Sequence, residues 1–198
     1  MNVYIDVPDG VSGDWRVETF TVPKEDFSQM ISAMKYGRSV PAGIYKRLMR
    51  KNTIVMSNTP DEISDFIPFY NYAHGTVLIN GLGLGTTVKM LLEKDGKRKI
   101  DHITVIENSE DVIKLVAPSY QDPRVTIIHA DAFTWIPPKG QRWNCVWHDI
   151  WDFISADNID EMKKLHRKYG KRCDYQESWC RYRCELARKE EKKFSMFW

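Results

Sequence analysis

The stretch Val77-Leu78-Ile79-Asn80-Gly81-Leu82-Gly83-Leu84-Gly85-Thr86 decides the reading of this chain, because an apolar run breaks there into three glycines just before a helical pattern. It predicts a strand turning tightly into a helix at a nucleotide-binding loop. Glycines suit such a turn because the backbone reverses while passing close to a ligand, whose space a side chain would fill. The spacing alone also fits an ordinary glycine-rich turn. The downstream sequence separates the two.

A second apolar run, Ile103-Thr104-Val105-Ile106, ends in Glu107, 22 positions after Gly85. A carboxylate at the end of a second strand can accept hydrogen bonds from both hydroxyls of a ribose. A third run, Val125 to Ile128, leads into Ala130-Asp131-Ala132, and a fourth, Cys145-Val146-Trp147, into His148-Asp149-Ile150-Trp151-Asp152. In an open parallel sheet, ligands bind outside the carboxyl ends of the strands, so these four ends should converge on one crevice.

With these residues in order, the chain resembles the class I S-adenosylmethionine-dependent methyltransferase superfamily, and within it the spermidine synthase-like branch, over residues 77–152. Gly81, Gly83 and Gly85 fit the first glycine motif, preceded by the apolar Ile79 as in aminopropyltransferases. Glu107 fits the ribose-binding acid. Asp122-Pro123-Arg124-Val125 resembles the lead-in to the third strand, and Ala130-Asp131-Ala132 looks like the Gly-Asp-Ala that holds adenine. Trp143 to Asp152 takes the place of the segment whose two acids correspond to Asp149 and Asp152. The resemblance implies S-adenosyl-L-methionine as cofactor, held by Gly81, Gly83, Gly85, Glu107, Asp131 and Ala132. It implies a small methyltransferase for an amine or hydroxyl acceptor, with Asp149 orienting or deprotonating the acceptor and Asp152 or His148 assisting. Trp151, just past the fourth strand, is a candidate to stack on the substrate.

The departures from that pattern keep two further readings open. The glycine loop of aminopropyltransferases carries an Asp near the amino end of the cofactor, where this chain has Leu84, and the two serines between the acids are Ile150 and Trp151. Only 46 residues follow Asp152 and they read as helical, so the sheet is expected to stop after its fourth strand. A transfer-inactive binding protein (a sensor, sink or assembly factor) and a cofactor-cleaving enzyme are the alternatives.

The predicted fold class is α/β: a Rossmann-like sheet truncated after the fourth core strand, with an α+β extension at residues 1–76, a core at 77–156 and a basic helical tail at 157–198. In the extension, Asn2 to Val7 and Trp15 to Val22 suit a hairpin across a Pro-Asp-Gly-rich turn. Phe27, Met30, Ile31 and Met34 mark one helical face closed by Gly37. Thr53 to Ser57 is a strand candidate, and Thr59-Pro60-Asp61-Glu62 reads as a capping box opening a helix.

In the tail, Asp157 or Asn158 can cap a helix with Ile159, Met162, Leu165 or His166 and Tyr169 on one face, ended by Gly170. A second helix carries Trp179, Tyr182 and Leu186. Residues 163–193 hold 12 Lys or Arg against 5 Asp or Glu in a chain whose net charge is +2. That segment is either a solvated helical face or a nucleic-acid surface. The tail's aromatics should cover the open sheet edge, on the same subunit or across a homo-oligomer, and help wall the acceptor site beside Asp149 and Trp151. His166, Cys173, Cys180 and Cys184 fit no tight zinc knuckle, so no metal is expected. The N-terminus has no basic and apolar leader pattern, which gives a cytoplasmic, non-membrane expectation with a small-molecule acceptor.

Overall fold

The computed structural model describes residues 3–24 and 40–195. Strands β1 (Gly10–Ser12), β2 (Trp15–Val22), β3 (Gly43–Arg50) and β4 (Thr53–Ser57) form an antiparallel sheet in that order. Helix α1 (Pro60–Tyr72) links it to an alternating unit: β5 (Gly75–Asn80), α2 (Thr86–Leu92), β6 (Ile100–Glu107), α3 (Glu110–Val116), β7 (Val125–His129) and β8 (Trp143–His148). Helix α4 (Asn158–Tyr169), strand β9 (Cys173–Ser178) and helix α5 (Arg181–Ser195) follow.

The second sheet has five strands in the order β7-β6-β5-β8-β9, with every pairing parallel. This is a Rossmann-like, open parallel sheet. Its order reverses at β5, so the crevice between the ends of β5 and β8 is the topological switch point where such sheets bind ligands. The last four residues of β5 are buried, as a central strand covered on both faces requires. One hydrophobic cluster runs from Val3, Ile5, Val17 and Leu48 through Phe66 and Val77 to Trp147, so the antiparallel sheet packs on the parallel core.

Several sequence expectations change. The sheet does not stop at its fourth strand: Cys173–Ser178 pairs with β8 from Trp143↔Cys173 to His148↔Ser178 and covers the edge assigned to the helical tail. Trp179 precedes α5, while Tyr182 and Leu186 on it are 69% and 39% exposed, so they do not form the edge cover. Residues 3–7 are not a strand, although Val3, Ile5 and Val7 are buried. The hairpin is the shorter pair β1–β2, closed at Gly13-Asp14.

Helix α1 opens at Thr59, but the threonine makes no side-chain cap. Glu62 instead accepts from the Ser57 N–H at 2.7 Å and from its hydroxyl, tying the end of β4 to the helix start. Helix α4 buries Ile159, Met162, Leu165 and Tyr169 and ends at Gly170, and Asp157 occupies its N-cap position without a side-chain cap bond. The helix expected on Phe27, Met30, Ile31 and Met34 lies outside the described residues, as does the chain's end after Ser195. Among the described residues no helix is long and apolar enough to cross a membrane.

Candidate functional site

A cavity of about 230 Å³ opens at the carboxyl ends of β5, β6, β7 and β8. The parallel sheet contributes Gly81, Gly83, Glu107, Asp131, Ala132 and Asp149 to it. The facing wall comes from the antiparallel sheet and the start of α1: Trp15, Leu48, Arg50, Met56 and Glu62. Trp151, Asp152, Glu161 and Trp179 complete the lining.

The glycine loop is shaped by its protein neighbours as much as by any ligand. Gly81 has φ of +99°, and a Cβ there would overlap the backbone carbonyl oxygen of Asp149. A Cβ at Gly85 would overlap the Tyr120 ring, whose hydroxyl donates to the Leu84 carbonyl at 2.8 Å. Glycine at position 81 therefore lets the loop after β5 touch the loop after β8, and the Asp149 N–H donates to the Asn80 carbonyl at 2.8 Å.

Glu107 is 7% exposed and accepts one backbone N–H on each oxygen, from Leu82 and from Ser109, both at 2.8 Å. Burial raises its pKa, and the amide donors oppose that rise. Each carboxylate oxygen has a second lone pair, so the loop-bracing role is compatible with accepting from a diol. Asp131 Oδ1 accepts from the N–H groups of Phe133 and Thr134 at 2.7 and 2.9 Å and thereby forms the turn after β7. The same turn is held from behind by Lys168, whose ammonium donates to the Ala132 and Phe133 carbonyls at 2.8 and 2.9 Å.

Asp149 is the electrostatic outlier. Burial pushes its pKa up to about 8, and the charges of Glu62 and Asp65 add to the rise. Asp152 forms an ion pair with Arg50 that joins the two walls of the cavity. Trp151 is 9% exposed and its indole N–H donates to Glu161 at 2.7 Å, which fixes the ring as part of the cavity wall.

His148, grouped with these acids by its position in the sequence, is placed differently. Its side chain is fully buried and does not line the cavity. Nδ1 lies 2.8 Å from the Asn80 amide nitrogen and Nε2 3.2 Å from Gln176 Oε1, and burial lowers its pKa to about 3. If that Asn80 nitrogen donates, Nδ1 is the acceptor and the proton sits on Nε2. The reason is strand alternation: Asp149 leaves the end of β8 while His148, one residue earlier, points into the core. His148 therefore braces the strand ends and does not reach a reacting group.

Sequence reasoning missed Arg50, Glu62, Glu161 and Trp15 as site residues, and the signal at Glu62 pointed to a helix cap. Trp179, an aromatic of the tail expected beside Asp149 and Trp151, lines the same cavity. Part of the basic surplus after residue 163 is engaged internally: Lys163 and Arg188 both pair with Asp160, Arg181 with Glu185, and Lys168 with the turn carbonyls. Among the described residues no cluster of His, Cys, Asp and Glu has the arrangement of a metal site, and all four cysteines are unpaired thiols.

Comparison with known proteins gives a partial match. Polyamine aminopropyltransferase 1 of Streptomyces coelicolor is 33% identical over 106 residues, 48% of this chain and 19% of that protein. The polyamine aminopropyltransferase of Corynebacterium efficiens is 34% identical over 102 residues, 46% of this chain and 18% of that protein. The chain is similar to the spermidine synthase-like branch. It spans about a fifth of the length of these curated relatives. No family model matches it. Among solved structures, spermidine synthase from Thermotoga maritima superposes with a TM-score of 0.46 at 16% identity, covering 80% of this chain and 52% of that one. A DhpI–SAH complex gives 0.41 at 18% identity, covering 54% and 50%. The fold assignment itself rests on the strand order.

Proposed function

We propose that the protein is an S-adenosylmethionine-dependent transferase, a methyltransferase whose acceptor is an amine. The observation that carries this reading is the cavity at the switch point, where Glu62, Glu107, Asp131, Asp149, Asp152 and Glu161 converge, among the described residues, against a single guanidinium, Arg50. Such a lining favours a cationic guest. The residues fit the donor: Glu107 stands where a ribose diol would be held, Asp131 and Ala132 where an adenine edge would lie, and Ile106, Val112 and Phe133 add apolar lining for a flat base. The donor supplies an activated sulfonium, and the protein supplies alignment and a base.

An amine enters such a cavity as an ammonium ion and must lose a proton before its lone pair can attack. Asp149 in its ionised form, which gains population as pH rises toward about 8, is the candidate acceptor of that proton. With a pKa of about 8 it lies closer to an amine's own value than an ordinary carboxylate does, which lessens the uphill cost of the transfer. Glu62 keeps that value high from the facing wall, and the ion pair of Arg50 with Asp152 holds the walls together.

Aminopropyl transfer is the second reading, favoured by the identity to polyamine aminopropyltransferases. Leu84 favours methyl transfer, since in the resembling enzymes an acid stands at that place, whereas Leu84 is fully buried and uncharged. Purified protein given diamines with S-adenosylmethionine, or with its decarboxylated form, separates the readings. S-adenosylhomocysteine as product supports methyl transfer, and methylthioadenosine from the decarboxylated donor supports aminopropyl transfer. Donor breakdown without any amine contradicts both.

A further inference from the structure

We infer that Arg50 reads the amino-acid end of the donor, its guanidinium binding the carboxylate that S-adenosylmethionine carries and decarboxylated S-adenosylmethionine lacks. The inference rests on the donor assignment of the preceding subsection. Among the described residues Arg50 is the one basic side chain lining the cavity, against six carboxyl groups. A further carboxylate brought among these acids meets repulsion from every one that is ionised unless a cation lies beside it. A donor without the carboxylate needs no such partner.

The guanidinium is held for this task. It lies 5.5 Å from the centroid of the Trp15 ring, its neighbour across the β2–β3 ladder. Its ion pair with Asp152 runs through Nη2, and the side chain is 49% exposed. A guanidinium carries five N–H donors, so pairing with Asp152 leaves others for a second carboxylate. Met56, which also lines the cavity, packs against Gly83 and accepts from the Leu84 N–H at 3.3 Å, so the wall that bears Arg50 adjoins the glycine loop.

The test is calorimetric binding of S-adenosylmethionine, decarboxylated S-adenosylmethionine and methylthioadenosine to the full chain and to Arg50→Met, Arg50→Lys and Asp152→Asn. The wild type should prefer S-adenosylmethionine over its decarboxylated form by about tenfold or more, the scale of one charge-assisted hydrogen-bonded pair. Arg50→Met should abolish that preference while methylthioadenosine binds as before, and Arg50→Lys should keep part of it. Asp152→Asn, which retains the guanidinium and frees it from its partner, should keep or increase the preference. Equal wild-type affinity for the two sulfonium donors, or an Arg50→Met variant that weakens all three compounds alike, overturns the inference while leaving the donor site in place. If the wild type binds none of the three, the donor assignment falls and this inference falls with it.

Discussion

The two walls of the cavity come from sheets of opposite kind. The parallel wall presents Gly81, Glu107, Asp131 and Asp149 at or just past the ends of four neighbouring strands, each placed by backbone hydrogen bonds or by contact with the next strand end. The antiparallel wall presents Trp15, Arg50 and Met56 from a hairpin sheet, and Glu62 from the helix after it. The first wall is rigid because its functional groups double as loop braces, and the second is joined to it across the mouth by the Arg50–Asp152 ion pair. On the proposed function, reaction and donor binding belong to the parallel wall, and tuning and selectivity to the other. Substitutions on the two walls should therefore differ in kind as well as in size.

The largest effect is expected at Asp149. Asp149→Asn should lower turnover by about 100-fold or more, the usual contribution of a positioned proton acceptor, with donor affinity little changed. Single-turnover rates read beside calorimetric binding would check it, and an equal loss in both would place Asp149 with the donor.

Stability should respond in the opposite sense. The folded chain holds the Asp149 proton up to about pH 8, whereas a free aspartate loses it near 3.8, so between those values the folded state binds more protons and loses stability as pH rises. Asp149→Asn should then melt higher than wild type at pH 8 and match it at pH 4 or below. At the acid end His148 and His166 act in reverse, with folded values of about 3 and 4 below the 6.5 of a free histidine. Their contribution is present at neutral pH and lost as pH falls from about 6.5 toward 3, because the unfolded chain takes up the protons first. Urea titrations between pH 7 and pH 4 should show that decline, and a His148→Gln variant should show less of it.

The smallest effect is expected from the antiparallel side. Glu62→Gln removes one of the charges that raise Asp149, so the pH–rate midpoint should move downward while the maximal rate changes only a few-fold. A loss as large as that of Asp149→Asn would erase the distinction between the walls.

The same division explains what could be read from sequence. Gly81 to Gly85, Glu107, Asp131 and Asp149 follow apolar strands at fixed offsets, so their convergence follows from parallel topology once the strands are recognised. Strand β9 escaped because Cys173-Asp174-Tyr175-Gln176-Glu177-Ser178 has only Cys173 and Tyr175 as alternating apolar residues and lies between basic helical segments, so its strand state comes from pairing with β8. Glu62 had the spacing of a capping box, but the Ser57 N–H and hydroxyl took the carboxylate. His148 was grouped with Asp149 by adjacency, although alternation sends neighbouring strand residues to opposite sides. Arg50 and Trp15 became site residues through the packing of one sheet on another, for which a single sequence has no local pattern.

The account stands most directly on donor binding at the parallel wall. Calorimetric titration of S-adenosylmethionine into wild type and Glu107→Ala, with thermal melting of both, measures it. The account predicts saturable binding to the wild type that weakens tenfold or more in Glu107→Ala. A lower melting temperature should accompany the loss, because the Leu82 and Ser109 amides lose their acceptor. Unchanged affinity in a folded Glu107→Ala variant would contradict it.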